Sequence, residues 1–480
     1  MSAIPLHAST PIDLVRHDLK ATLKLQRDAY LAHPYPSFAE RKADLLKLKA
    51  FIRDHRDAIV DAINADYGNR SRHETLFAEI FTVMDGVDHV LKELKGWMKP
   101  QRRSVDLMNF FGASNRVIPQ PLGVVGAIVP WNFPINLGFT GLIYTFAAGN
   151  RSMLKMSENS RHLARLLIEK IPAYFPKDKL AFFDESGGVG QEFSKLKFDH
   201  LLFTGSGATG RQVMAAAAHN LCPVTLELGG KSPAIVCNDF PLRVAAERIL
   251  FVKYFNAGQI CTTVDHAYMP RQKVDEFVAL SRQIVHKRYP KLGSKDYTSL
   301  IDQKSFERVT AALEEAQARG ATLVQLVPGP RWDAETRKIA PHIVLNAPED
   351  CALRTREIFG PVLPIIPFDA IEEPISAINA GPRPLALYPF SNDKALIHRL
   401  LHEVMSGGVS VNDGLFHVAQ HDLPFGGVGD SGMGHYHGYE GFVTFSKMRP
   451  VFYQASFSAV KLLYPPYSNF ATKYLHFLTK

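Results

Sequence analysis

Cys261, Glu227 and Asn132 are the residues of this 480-residue sequence whose types and settings best suit covalent chemistry. Cys261 lies in FNAGQICTT, among small, amide and threonine side chains. A free thiol titrates near ~8.5, so a nucleophilic role needs local stabilisation of the thiolate. The alternative is an inert, buried small hydrophobe, which suits Cys237 in a predicted strand. Glu227, in VTLELGGKSP, sits between two leucines at the end of a predicted strand. Burial there would raise its carboxyl pKa and tune it as a base; otherwise it faces solvent. Asn132, in VPWNFP, is held among aromatic rings and prolines. A fixed amide N–H is a good oxyanion donor, although an Asn can also simply close its own turn.

A further motif, Gly205-Ser206-Gly207-Ala208-Thr209-Gly210, follows a predicted strand and opens a predicted helix. Glycines at such a junction let backbone approach a phosphate, and the helix start offers free N–H donors. Taken alone, the motif would make Glu227, about 20 residues on, a ribose ligand. A plain strand–turn–helix is equally compatible. His417, His421, His435 and His437 cluster near LPFGGVGDSGMG, but without Cys or carboxylate ligands in a recognised spacing, and no metal is expected.

These residues need a scaffold, and its pattern is legible. Residues 11–100 read as helical, with an amphipathic run from Leu19, Leu23 and Leu25, a second over 43–65 and a third over 73–97. Residues 104–119 read as two short strands around a Gly-Ala-Ser-Asn turn, an element suited to an interface. From Gly123 onward strands and helices alternate, which predicts an α/β fold with mostly parallel sheets. The simplest partition is two α/β domains joined near Gly229 and Gly230. The uncharged stretch 117–150 carries four prolines, so it reads as strand, loop and small-residue helix and not as a membrane span. The tail ends in YSNFATKYLHFLTK, with Phe470, Tyr474 and Phe477 near one helical face. It reads as a docked terminal helix, with a lid or a marginal membrane-surface contact as alternatives.

Composition narrows the function classes. Apolar residues make up 46% and charged residues 21%, as in soluble globular proteins. The net charge of +8 is spread over a long chain, and its densest basic stretch, around Arg102 and Arg103, is too short for a nucleic-acid arm. A moderate positive field suits small anionic ligands such as nucleotide cofactors. Four cysteines without a CxxC fit a reducing compartment. No basic segment followed by an apolar one opens the chain, so a cytoplasmic location is expected, with no stable membrane insertion.

Seven motifs, in order, resemble the NAD(P)-dependent aldehyde dehydrogenase superfamily: PWNFP, LKMSE, FTGSGATG, LELGGKSP, GQIC, EIFGPVLP and PFGGVGDSGMG. The short N-terminus and YHGYEGF look like the class 3 branch, and YGNRSRHETLFAEI with KMRPVFYQ looks most like bacterial coniferyl aldehyde dehydrogenases. The resemblance implies a Rossmann-like cofactor domain over 1–103 and 120–229 and an α/β catalytic domain over 230–430. It also implies an oligomerisation element from 104–119 and 448–454, a tail over 455–480, and a homodimer. It makes Cys261 the nucleophile, Asn132 and the Cys261 N–H the oxyanion donors, and Glu227 the base that activates water, not a ribose ligand. Lys155 and Glu158 correspond to adenosine-ribose contacts; the Glu158 carboxylate favours NAD, with NADP possible. Gly205 and Ser206 begin the loop against the cofactor, Glu357 matches the ligand of the nicotinamide ribose, and Phe359 packs near the nicotinamide. Phe133, Leu137 and Phe416 are expected along a substrate tunnel. Met156 and Gly207 stand where the family usually has Pro and Thr. The expected substrates are aromatic or other bulky apolar aldehydes. Medium- or long-chain aliphatic aldehydes and a cofactor-independent cysteine esterase are the alternatives.

Overall fold

The computed structural model describes residues 11–107, 110–456 and 458–480. The alternation from Gly123 onward resolves into two sheets. The first has six strands in the spatial order Gly432–Met433, Val224–Glu227, His200–Thr204, Val124–Ile128, Arg151–Lys155 and Leu180–Phe183. All neighbours are parallel except Gly432–Met433, which runs antiparallel to Val224–Glu227. The second has seven strands: Thr322–Gln325, His342–Leu345, Val362–Phe368, His266–Pro270, Pro233–Val236, Ala386–Phe390 and Gly408–Val409. Only Thr322–Gln325 is antiparallel to its neighbour. The chain crosses between the sheets over residues 228–232, just after Glu227.

The parallel strands are apolar runs because helices cover both faces. The largest core cluster joins Leu48 and Phe51 of the helix Phe38–Asp54, Val87 of Thr82–Trp97, and Phe139 and Leu142 of Pro134–Ala147 to Val125 and Leu154 of the first sheet. A second cluster packs Ile249 and Phe277, from the helices Leu242–Tyr254 and Val274–Arg288, on Ala234, Ala267 and Ile365 of the second sheet.

Several expectations shift. The run over 43–65 breaks at His55 into Phe38–Asp54 and Arg56–Tyr67. The run over 73–97 contains a π-helical segment, Leu76–Phe81. The helix Gln303–Ala318 and the strands Leu180–Phe183, His266–Pro270 and Ala386–Phe390 were not expected. The hairpin is corrected: its strands are Gln101–Arg103 and Ser114–Pro121, so residues 104–113 connect them and Asn115 is already in a strand. Met108 and Asn109 lie outside the described residues. Ser446–Tyr453 pairs along the whole of Ser114–Pro121 and forms one edge of this three-stranded sheet, Gln101–Arg103 the other. The tail helix Asn469–Leu478 forms, but Ala471 is its one buried residue, and Phe470 and Phe477 are exposed. Among the described residues no helix is long and apolar enough to cross a membrane.

Candidate active site

The loop before Cys261 is bent by three consecutive left-handed residues, Asn256, Ala257 and Gly258 (φ +50°, +50° and +76°). Asparagine and glycine accept this region; alanine does so at a cost of about 1–3 kcal/mol, which the surroundings must hold. Glu74 does part of this, accepting from the Asn256 N–H at 3.0 Å and from Thr298 Oγ1 at 2.6 Å. Gln259 closes the loop by donating to the carbonyls of Asn256 and Ser299, both at 3.0 Å, and accepting from the Ile301 N–H at 3.0 Å. Gly258 must be glycine for a second reason: a Cβ there would lie 2.3 Å from the Gly360 carbonyl oxygen. The loop that carries Cys261 thus crosses directly against the loop that carries Glu357 and Phe359.

The Asn132 loop is clamped from the helical side. Arg70 Nη1 donates to the Asn132 carbonyl at 2.6 Å, Tyr67 Oη at 3.2 Å and Asn256 Nδ2 at 3.4 Å. Arg70 forms a fully buried ion pair with Glu79 at 3.1 Å and lies over the Phe133 ring at 4.7 Å. Glu79 Oε2 also accepts from the N–H groups of Ile135 and Asn136, at 2.8 and 2.9 Å. These are first-turn donors of the helix Pro134–Ala147, whose N-cap, Phe133, has no capping side chain. The Asn132 side chain is 4% exposed. Its Nδ2 donates to the Gln259 carbonyl at 3.2 Å, which leaves its second hydrogen available.

Glu357 is fixed from both sides. Lys231 donates to the Arg356 carbonyl at 2.9 Å and pairs with Asp265, which accepts from the Ile358 N–H at 2.9 Å. Although burial opposes its charge, Asp265 is held well below the ordinary carboxyl range by Lys231 and His266.

Two cavities meet at Cys261, which lines both. The larger, about 680 Å³, opens between the two sheets and is lined by Asn132, Gly205, Ser206, Glu227, Glu357 and Phe359, among others. It lies beyond the carboxyl ends of Val124–Ile128, His200–Thr204 and Val224–Glu227, where open parallel sheets bind ligands. Ser206 caps the helix Gly207–Ala218 by accepting from the Thr209 N–H at 3.3 Å. The second cavity, about 110 Å³, is a narrow slot walled by Phe77, Phe133, Leu137, Phe255, Phe416 and Phe425. Phe133 and Phe255 lie nearly parallel, 7° apart.

The junction is electrostatically poised. Burial, then the carboxyls of Glu357 and Glu227, push the Cys261 thiol up to about 12; the N–H groups of Cys261 and Thr262 act in the opposite sense. Glu227 is 2% exposed, and neither carboxyl oxygen has a hydrogen-bond partner among the described residues. Burial raises it well above the ordinary carboxyl range. Burial likewise pushes Glu357 up to about 8, and its Oε1 has no partner among the described residues. The solvent-facing alternative for Glu227 is therefore excluded.

Of the residues expected from sequence, Asn132, Gly205, Ser206, Glu227, Cys261, Glu357 and Phe359 surround one cleft. Phe133, Leu137 and Phe416 line the slot with Cys261. Lys155 and Glu158 do not join the wall of the cleft. Lys155 is buried at the carboxyl end of Arg151–Lys155 in an ion pair with Glu185, and Glu158 is exposed. The histidines do not converge: His417 bonds Ser410 Oγ at 2.8 Å, His421 bonds Asp85 at 2.9 Å, His437 is stacked in the slot wall, and His435 is exposed. Sequence reasoning missed Arg70, Glu74, Glu79, Gln259 and Asp265. Arg70, Glu74 and Glu79 had a signal in YGNRSRHETLFAEI, Gln259 in GQIC and Lys231 in LELGGKSP, whereas Asp265 had none.

Comparison with known proteins is consistent with this geometry. Residues 13–451 match the aldehyde dehydrogenase family. A probable coniferyl aldehyde dehydrogenase of Pseudomonas aeruginosa is 47% identical over 461 residues, covering 96% of each chain. The solved structure of Staphylococcus aureus AldH in its substrate-bound state superposes with a TM-score of 0.90 at 32% identity, covering 96% of this chain and 99% of that one. An indole-3-acetaldehyde dehydrogenase, AldA of P. syringae, solved with NAD+ and IAA, gives a TM-score of 0.83 at 25% identity, over 92% and 89% of the chains. On the family match across nearly its whole length, and on a relative nearly half identical, this chain belongs to the aldehyde dehydrogenase family.

Proposed function

We propose that this chain oxidises aldehydes to carboxylic acids with NAD(P), using Cys261 as nucleophile, and that its substrates are flat aromatic aldehydes. One observation carries the reading: the thiol stands at the junction of a large cleft and a narrow aromatic slot. An aldehyde entering by the slot meets the sulfur on one side and a cofactor in the cleft on the other.

The residues present fit a nicotinamide dinucleotide. Gly205 and Ser206 offer a helix start to a phosphate. The unpartnered Oε1 of Glu357 is a buried acceptor suited to a ribose hydroxyl, and Trp131 and Phe359, edge to face at 5.5 Å, wall the site for an aromatic ring. When bound, the nicotinamide supplies the two-electron acceptor. The thiol proton leaves to a carboxylate, for which Glu227 in its deprotonated form is the candidate. The sulfur then bonds to the carbonyl carbon, and the oxyanion is held by Asn132 Nδ2 and the Cys261 N–H. Loss of hydride from that carbon leaves a thioester on Cys261. Glu227, once it has released the first proton to solvent, draws a proton from water, whose oxygen attacks the thioester, frees the acid and returns Cys261 as thiolate. NAD is the preferred cofactor on the resemblance alone, in which the Glu158 carboxylate disfavours a 2′-phosphate; Glu158 itself stands outside the wall of the cleft.

In this reading residues 1–103 and 120–229 bind cofactor, and 230–430 supply the nucleophile. A homodimer forms through 104–119 and 448–454, where Ser446–Tyr453 leaves a free strand edge.

The slot favours planar, conjugated aldehydes. Comparing kcat/KM for coniferaldehyde with that for decanal tests this; a large preference for decanal would turn the reading to aliphatic substrates. Cys261→Ala is expected to lose dehydrogenase activity and keep cofactor affinity, and undiminished turnover would overturn the mechanism.

A further inference from the structure

The aromatic slot contains two buried polar side chains, Tyr436 and His437, with an atom that has no hydrogen-bond partner among the described residues. His437 is 6% exposed and lines the slot. Its Nδ1 has no hydrogen-bond partner among the described residues, an uncommon state for a buried polar atom. Other polar groups of the slot wall are spent on protein partners. Thr82 donates to the Ala78 carbonyl at 2.7 Å, Asn136 Nδ2 to the same carbonyl at 2.6 Å, Thr140 to Asn136 Oδ1 at 3.2 Å, and His421 bonds Asp85 at 2.9 Å.

The imidazole is also held in place at a cost. His437 has φ +97° and ψ 155°, a region that is nearly glycine-only. Its ring is stacked between Phe425 at 5.4 Å and Tyr144 at 6.0 Å, with Tyr436 edge-on at 4.7 Å. Its carbonyl accepts from the Gly441 N–H at 2.7 Å, and the next N–H, of Gly438, donates to Tyr144 Oη at 2.9 Å. Strain of this kind concentrates where a side chain must be aimed. Tyr436, the other side chain with an unpartnered atom, lies near Glu227 and Cys261. Burial drives the His437 pKa down to about 3, so the ring stays neutral, with one nitrogen to donate and one to accept.

We propose that His437 hydrogen-bonds a hydroxyl group carried on the aromatic ring of the substrate, and so makes the enzyme select hydroxyaryl aldehydes over their unsubstituted counterparts. This rests on the aromatic-aldehyde reading above. A site built to bond a substrate hydroxyl discriminates strongly against the analogue that lacks it, because its own polar group is then left bare.

The test compares kcat/KM for 4-hydroxycinnamaldehyde and cinnamaldehyde in the wild type, His437→Phe and His437→Gly. Phenylalanine keeps a ring between Tyr144 and Phe425 but bonds nothing, and glycine relieves the backbone and removes the ring. The wild type is expected to favour the hydroxylated aldehyde by about tenfold or more. In both variants that ratio should fall close to one, while His437→Phe keeps its cinnamaldehyde kcat/KM within about threefold of the wild type. Equal losses on both aldehydes, or a preference that survives in His437→Phe, would overturn the subsite and leave the aromatic-aldehyde reading standing. A wild type that oxidises neither aldehyde would overturn both.

Discussion

Replacing Asn132 by alanine isolates oxyanion stabilisation from the rest of the site. The Asn132 amide spends one hydrogen on the Gln259 carbonyl at 3.2 Å, and in the proposed mechanism the other serves the developing alkoxide. Loss of one such donor costs about 10²–10³ in kcat, or ~2.7–4 kcal/mol of transition-state stabilisation. The structural cost is smaller. The Asn132 main-chain carbonyl keeps its three donors, Arg70, Tyr67 and Asn256, because they bond backbone and not side chain. The Gln259 carbonyl keeps Asn256 Nδ2 at 3.1 Å. What is lost from the fold is one hydrogen bond, about 1 kcal/mol. Asn132→Ala should therefore reduce kcat at saturating aldehyde and NAD by two to three orders of magnitude, with a small change in Tm and an unchanged Kd for the cofactor. Steady-state reduction of NAD, a thermal melt and a cofactor titration measure the three quantities. A kcat within about threefold of the wild type would refute the oxyanion role. A collapse in Tm would refute the claim that the loop is held by its backbone.

Glu227→Gln should form the thioester and release it slowly, seen as one rapid turnover of NAD reduction followed by a low steady rate; wild-type steady turnover would contradict its role as base. Cys261, Glu227 and Glu357 are all pushed upward, Cys261 to about 12 and Glu357 to about 8. Cys261 and Glu357 hold their protons at neutral pH and Glu227 is shifted in the same direction, whereas the chemistry needs the deprotonated nucleophile and base. Activity should therefore climb as pH rises through neutrality, and a flat or falling profile between about pH 6 and 9 would sink this account. Glu79→Ala strands Arg70 in the core and uncaps the helix Pro134–Ala147; a loss of about 3–5 kcal/mol is expected, read as a lower Tm, and an unchanged Tm would show that the pair contributes little.

Much of the architecture was legible because it is local. The strands Val124–Ile128, Arg151–Lys155 and His200–Thr204 are apolar runs between helices of regular period, and their limits fall within a residue or two of expectation. Expectation failed where the deciding contact is distant. The strand Ser114–Pro121 takes its register from Ser446–Tyr453, more than 300 residues away. The π-helical segment Leu76–Phe81 turns Glu79 towards the start of Pro134–Ala147, and no periodicity in residues 72–97 announces that partner.

The site divides in the same way. Residue types and ordered motifs alone singled out Cys261, Glu227, Asn132 and Glu357 as candidates, because each sits at a strand end or in a short loop between elements, and such places leave local signatures. Only the folded chain decided what those groups are chemically. The raised pKa of Glu227 comes from burial between two sheets, the clamp on Asn132 comes from Arg70 and Glu79, and the place of Cys261 at the meeting of two cavities depends on loops brought together from both sheets. The physical reason is that a residue's identity is a property of one position, whereas its solvation and its partners are sums over atoms that the sequence holds far apart.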